Sequence, residues 1–176
     1  MTAGRVRLTL PSARDREEFL RLARSSRDLH RPWVYPPATP RQYVQYIKKT
    51  HTERYQGFFL RDGQSDGIAG VFELSEITRG ILQSAYLGFY AMAPHEGRGY
   101  MREGLQLVLR YAFRDLKLHR VEAAVQPENA RSIALVGRCG FKKEGFSPRY
   151  LKIGGRWRDH ERWALLVDDW RAGKRE

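Results

Sequence analysis

The sequence predicts an α+β fold, and three observations carry that prediction. Runs rich in aromatic and β-branched residues at 57–61, 68–77 and 82–92 follow one another with only the turn signals DGQSDG and TRG between them, the pattern of an antiparallel meander. Helix-periodic segments stand before and after this block, so no helix separates the meander strands as it would in a parallel array. No low-complexity tract, internal repeat or linker interrupts the 176 residues, which places 1–176 in a single domain large enough to bury its own core.

Each element has its own justification. Arg5 to Leu10 alternates and opens the chain as a strand. Ser12-x-x-Asp15 resembles a capping box for a helix reaching about Arg24. The stretch HRPWVYPPATP, residues 30–40, is too rich in proline for either element. Thr39-Pro40-x-Gln42 then supplies an N-cap, a proline at the first helical position and a glutamine near the third, starting a second helix that runs to about Arg54. After the meander, an apolar helical run reaches about Leu118. His119 to Val125 reads as a strand, Asn129 to Cys139 as a short helix ended by Gly140, and two last strands flank the turn GGRW at 154–157.

Composition narrows the function classes. Hydrophobic residues at 41% and aromatics at 12% exclude overall disorder, although 30% of the chain is charged. No window approaches the roughly 18 apolar residues of a membrane span, and MTAGRVRLTL lacks the apolar core of a signal peptide, so a cytoplasmic location with no membrane partner is expected. Cys139 has no second cysteine to pair with, and no Cys/His cluster has zinc-ligand spacing; neither a disulfide nor a metal is expected. The net charge of +12 implies attraction to polyanions, whether cofactor phosphates, RNA or an acidic protein, and serves equally as a solvated surface.

The stretch PHEGRGYMREG, residues 94–104, places two glycines one residue apart at a helix entrance. Glycine admits close approach, and the first turn of a helix leaves N–H groups unpaired at the positive end of its dipole, so the loop reads as a phosphate cradle over Arg98 to Met101, with Arg98 and Arg102 adding charge. A Walker loop fails, because Leu105 follows Gly104 where lysine is required. A dinucleotide fingerprint is weak, because Arg102 holds the place of its third glycine. A tight strand-to-helix turn remains the plain alternative.

The wider context resembles a known family. YLGFYAMAPHEGRGYMREGL together with HRVEAAVQPENARSIALVGRCGFKKEG resembles the GNAT superfamily of acyl-CoA-dependent N-acetyltransferases, whose signature is a strand, a Q/R-x-x-G-x-G/A loop, a helix, another strand and a short helix ending in GF. RG at 79–80, YLG at 86–88, G-x-G-x-M-x-E at 97–103, HR at 119–120, CGF at 139–141, KEG at 143–145 and GRWRDH at 155–160 look like the RimJ and RimL ribosomal-protein N-terminal acetyltransferases. The likeness spans about residues 68–170, and RPW upstream also fits. Pro94 departs from the usual Q/R, but the glycines are retained.

The resemblance implies a central mixed, mostly antiparallel sheet flanked by helices and splayed in a V between Tyr86 to Met92 and Val121 to Val125. The pantetheine arm of acetyl-CoA, itself a string of amides, would pair along Phe89, Tyr90, Ala91 and Met92, with the pyrophosphate on Gly97, Arg98, Gly99, Tyr100 and Met101. Asn129 is a natural N-cap, and in the family the matching asparagine faces the pantetheine arm; Ser132 completes the cofactor set. His95 and His119 read as surface or packing residues.

For the chemistry, an amine attacks the thioester directly, through a tetrahedral oxyanion, and a thiolate leaves. A backbone N–H near Tyr90 is the candidate oxyanion donor. Ser132 stands where RimL-like enzymes have a serine that serves the departing thiolate, while the tyrosine position of the RimI branch is occupied by Val136. An α-amine is already about 10–20% neutral at pH 7, so a base is optional; Glu73 or Glu76, acting through water, are the candidates. Trp33 and Trp157 could wall the acceptor site, with Asp159 receiving a cationic peptide end. The expected activity is acetyl-CoA-dependent N-acetylation, most directly of the α-amine of a protein such as a ribosomal protein, by a monomer or homodimer, with ribosome association through the basic surface. The alternatives are a small-molecule or antibiotic acetyltransferase and a non-catalytic ribosome- or RNA-binding protein on the same scaffold.

Overall fold

The structure, a computed structural model, describes residues 2–173. Strands β1 (Thr2–Ala3) and β2 (Val6–Thr9) lead into helices α1 (Arg16–Ser25), α2 (Arg27–His30) and α3 (Pro40–Lys49). Strands β3 (His51–Thr52), β4 (Tyr55–Asp62), β5 (Ile68–Thr78) and β6 (Ser84–Ala91) precede helix α4 (Tyr100–Arg110). Strand β7 (Arg120–Val125), helix α5 (Ala130–Arg138), strands β8 (Lys142–Ile153) and β9 (Arg156–Leu166) and helix α6 (Val167–Ala172) complete the order. Among the described residues the strands form one sheet, ordered β1-β2-β4-β5-β6-β7-β9-β8, with β3 paired to β4.

Every pairing is antiparallel except β6 with β7. That parallel ladder joins Ser84 to Arg120, Ala85 to Val121 and Tyr86 to Glu122, and then stops. Because β6 continues to Ala91 and β7 to Val125, the two strands part in a V.

The alternation of strand side chains supplies a core on each face. Leu60, Phe72 and Leu74 pack with Leu105, Val108 and Leu109 of α4 on one side. Phe59, Val71 and Tyr90 pack with Phe19 of α1 and with Tyr43 and Tyr46 of α3 on the other. Gly104 sets how closely α4 approaches, since a Cβ there would lie 2.7 Å from Leu60 and Phe72.

The caps read from sequence do their work at two helix starts. Thr39 Oγ1 accepts from Gln42 N at 3.3 Å, and Gln42 Oε1 accepts in return from Thr39 N. Ser12 N and Oγ both donate to Asp15, but they enclose a 3-10 turn that leads into α1. Several expected boundaries need correction. Helix α3 stops at Lys49 instead of Arg54, because the Thr50 and Thr52 hydroxyls donate to the Ile47 and Lys49 carbonyls and residues 51–52 fold onto β4. The run expected to reach Leu118 is α-helical only to Arg110 and finishes as a π-turn over Tyr111–Asp115. Helices α2 and α6 are additions to the expected order.

Candidate active site

The loop between β6 and α4 takes its shape from its glycines. Gly97 has φ 76° and Gly99 φ 78°, the left-handed region that glycine enters without penalty. A Cβ at Gly97 would meet nothing within 4 Å, so the backbone there borders open space. Beneath the loop, Arg5 donates to the Arg98 carbonyl at 2.9 Å and to Glu103 at 3.0 Å, anchoring it to the first strands. Arg102 N and Glu103 N already donate to the Gly99 carbonyl, at 3.0 and 3.3 Å. The first-turn amides of Tyr100 and Met101 therefore face outward for a ligand, at the positive helix end and beside exposed Arg98 and Arg102. This donor set fits a pyrophosphate. The Tyr100 side chain does not join it: its ring is buried and its hydroxyl donates to Asp62 at 3.4 Å. His95 packs beside that pair, its rings 6.0 Å from Tyr100, and burial lowers its pKa.

The register of β6 decides which amides face the V. Met92 N donates to Ala69 O at 2.9 Å, and the pairing with β5 runs without a shift from Gly70–Ala91 to Ser75–Tyr86. Antiparallel alternation then sends the N–H groups of Tyr90 and Met92 to β5 and those of Phe89 and Ala91 into the slot. Of the four residues expected along a ligand arm, Phe89 and Ala91 therefore have N–H groups free to face one, while those of Tyr90 and Met92 are taken by β5. His30 Nε2 donates to the Ala91 carbonyl at 2.8 Å, and Gln126 Nε2 donates to the Trp33 carbonyl at 3.3 Å. The segment from His30 to Trp33 thus ties one arm of the V to the other.

On the far arm, Asn129 Oδ1 accepts from Ser132 N at 3.1 Å and caps α5. Ser132 stands half-buried on the first turn, and Arg131 pairs with Glu96 of the glycine loop. Val136 is 0% exposed in the core, which leaves no room there for a tyrosine directed at a ligand.

Two cavities flank segment 32–37. One, of about 330 Å³, is lined by Pro32, Trp33, Gln126, Glu128, Trp157, Arg158 and Asp159, so Trp33, Trp157 and Asp159 do meet. Trp157 is 60% exposed, which excludes core packing as its purpose. Asp159 accepts from Arg149 N at 2.7 Å. The other, of about 440 Å³, is lined by residues 34–37, by Gln42, Gln45, Tyr46 and Lys49 of α3, and by Glu73 and Tyr90. Burial raises the Glu73 carboxyl above its ordinary value, with Tyr55 and Lys49 opposing the shift. Glu76 is in neither cavity: it is exposed at the β5 bulge and pairs with Arg54 at 2.5 Å. Sequence reasoning did not single out His30, Gln126, Tyr46, Tyr55 or Lys49; Tyr43 and Tyr46, three residues apart, fit an apolar helix face and carry no further signal.

Comparison with known proteins gives this geometry its context. Residues 5–142 match the family described as Acetyltransferase (GNAT) domain. The chain is 32% identical over 183 residues, covering 99% of itself and 94% of the relative, to the [ribosomal protein uS5]-alanine N-acetyltransferase of Escherichia coli (strain K12). RimJ of Mycobacterium smegmatis, solved in complex with CoA-disulfide, superposes with a TM-score of 0.83 at 28% identity, over 93% of this chain and 83% of that one. The spermidine N-acetyltransferase of Vibrio cholerae, solved with CoA and spermine, superposes with a TM-score of 0.81 at 25% identity, over 95% and 98%. The chain thus shares its fold, along nearly its whole length, with proteins named as N-acetyltransferases: this protein belongs to the GNAT family and is an N-acetyltransferase of RimJ-like kind.

Proposed function

We propose that the enzyme acetylates the N-terminal α-amine of a protein, a ribosomal protein being the favoured class, with acetyl-CoA as donor and without a metal. The observation that carries this reading is the likeness over 99% of the chain to a relative named for acting on ribosomal protein uS5. A cytoplasmic location and a single catalytic domain accord with it. When bound, acetyl-CoA supplies an activated acyl group and a thiolate leaving group. The amides of Tyr100 and Met101, with Arg98, hold its pyrophosphate on the loop shaped by Gly97 and Gly99; those of Phe89 and Ala91 orient its arm, and one of them faces the carbonyl oxygen where negative charge develops. Asn129 fixes the turn that presents Ser132, whose hydroxyl donates toward sulfur.

A polyamine acceptor is the second reading, favoured by the spermidine N-acetyltransferase likeness. Charge argues against it. Glu128 and Asp159 share their cavity with Arg158, Glu73 shares its own with Lys49, and a chain of net charge +12 repels a polycation at long range. Incubation with acetyl-CoA and either N-terminal peptides or spermidine, read by mass spectrometry, tests the choice. Peptide kcat/KM should exceed that for spermidine. The reverse order would overturn the protein-acceptor reading, and no transfer to any amine would favour a scaffold that only binds.

A further inference from the structure

The larger cavity holds an arrangement that folding alone does not explain. Glu73 lies within β5, and both of its cross-strand partners are glycines, Gly57 on β4 and Gly88 on β6. A Cβ on Gly88 would lie 3.6 Å from Glu73 Oε2, so the carboxyl occupies the space a side chain there would take, while Gly57 is covered by Thr50, at 2.7 Å from a Cβ, and by the Tyr46 hydroxyl at 3.3 Å. Around the carboxyl gather Tyr46 from α3, Tyr55 from β4 and Tyr90 from β6. The hydroxyls of Tyr46 and Tyr90, which line the cavity, are buried without a hydrogen-bond partner, while that of Tyr55 is directed at the Glu73 carboxyl. Tyr46 is 3% and Tyr90 8% exposed. Buried polar groups in folded proteins are almost always satisfied, so two orphaned phenols beside one carboxyl mark a place where something else completes the bonding.

We propose that this cavity seats the acceptor's amine, with Glu73 as the carboxylate that takes its proton, the Tyr46 and Tyr90 hydroxyls as partners for the ammonium and the first peptide unit, and Tyr55 holding the carboxyl in place. The inference rests on the acetyltransferase reading and deepens it: the reacting nitrogen lies on the α3 side of segment 32–37, and the Trp33–Trp157 cavity is left for the chain beyond it. Aromatic faces and a carboxylate together recognise an ammonium. The groups facing Glu73 are Tyr46 and Lys49 of α3, Tyr55 of β4 and Tyr90 of β6, the last in edge contact with His30 at 5.1 Å. Lys49 stands over the Tyr55 ring at 4.5 Å and is the sole cation among the residues lining the cavity.

The step balances. Glu73 takes one proton from the ammonium; the freed lone pair forms the new N–C bond; the C–S bond breaks with its electron pair leaving on sulfur; and the second amine proton ends on sulfur through the Ser132 hydroxyl. Glu73 returns its proton to solvent.

Two substitutions test this, on whichever amine the wild-type enzyme acetylates. Glu73→Gln should lower kcat/KM by roughly 10²- to 10⁴-fold, leave acetyl-CoA affinity by calorimetry unchanged, and shift the rise of activity with pH to that of the amine alone. It should also raise the melting temperature at pH 7. A carboxyl whose pKa is raised by folding loses stability as pH climbs from its unfolded value through its folded one, and glutamine has no charge to lose it with. Gln45→Trp, on the exposed rim of α3, should narrow the cavity mouth and raise the amine's KM about tenfold or more without touching the donor site. If either variant keeps kcat/KM within about threefold of wild type, the amine sits elsewhere. A wild-type enzyme that acetylates spermidine and no peptide would overturn the protein-acceptor reading while leaving this one to stand or fall on the two variants.

Discussion

At the scale of single residues, the donor site depends on backbone that only glycine enters cheaply. Alanine at Gly97 would crowd nothing within 4 Å, and at Gly99 its Cβ would meet Arg5 at an ordinary 3.5 Å, so either substitution is opposed by φ alone. Each should cost about 1–2 kcal/mol, read as a lower denaturation midpoint with an unchanged slope. Gly99→Glu adds a carboxylate beside the amides proposed to hold a pyrophosphate. It should abolish acetyl-CoA binding in a protein that still folds, and calorimetry giving wild-type affinity would remove the phosphate-cradle assignment. Ser132 is different in kind, because its backbone holds the helix cap while its hydroxyl is available for chemistry. Ser132→Ala should slow turnover by roughly 10²- to 10⁴-fold where chemistry limits the rate, with donor affinity retained. Turnover close to wild type would make the serine structural and leave sulfur to water.

At the scale of elements, Asn129 shows how one cap can serve fold and site together. Asn129→Ala should cost about 1 kcal/mol through the lost bond to Ser132 N, and serine in its place should restore most of that. Helices that announce themselves in this way were legible in the sequence: α3 through Thr39-Pro40-x-Gln42, α5 through Asn129 and the left-handed Gly140 that ends it. The meander and the closing hairpin were legible from alternation and turn residues. Helices α2 and α6 span four and six residues, too few to establish a period. The V itself came from family likeness, because nothing local in Tyr86 or Glu122 says that their ladder ends there. The direction of the slot amides needed the register, since a shift of one residue would exchange Phe89 with Tyr90. Glu73 could be named as a candidate, yet its surroundings could not: Gly57 and Gly88 lie far along the chain on either side, and only the pairing of three strands brings them against it.

At the scale of the whole molecule, the two bonds from segment 30–33 hold the arms of the V together, and the net charge of +12 sets how the enzyme meets its surroundings. Part of the positive charge is matched within the fold: Arg61 pairs with Asp15 and Glu18, Arg120 with Glu122 and Glu144, Lys142 with Asp169. Arg98 and Arg102 stand exposed at the glycine loop, and Lys152 and Arg156 at the tip of the β8–β9 hairpin, so part of the excess reaches solvent at those two places. If this charge serves a ribosome-bound acceptor, association must proceed with release of counterions from phosphates. Six to ten such contacts would weaken binding by about 10³- to 10⁵-fold between about 50 and 200 mM salt. Turnover of a short peptide, which carries no phosphate, should barely change over the same range. Co-sedimentation with ribosomes should therefore be present at about 50 mM salt and lost by about 200 mM. Its absence at the lower concentration, or its persistence at the higher, would separate the charge from the acceptor and leave it the task of keeping the protein in solution.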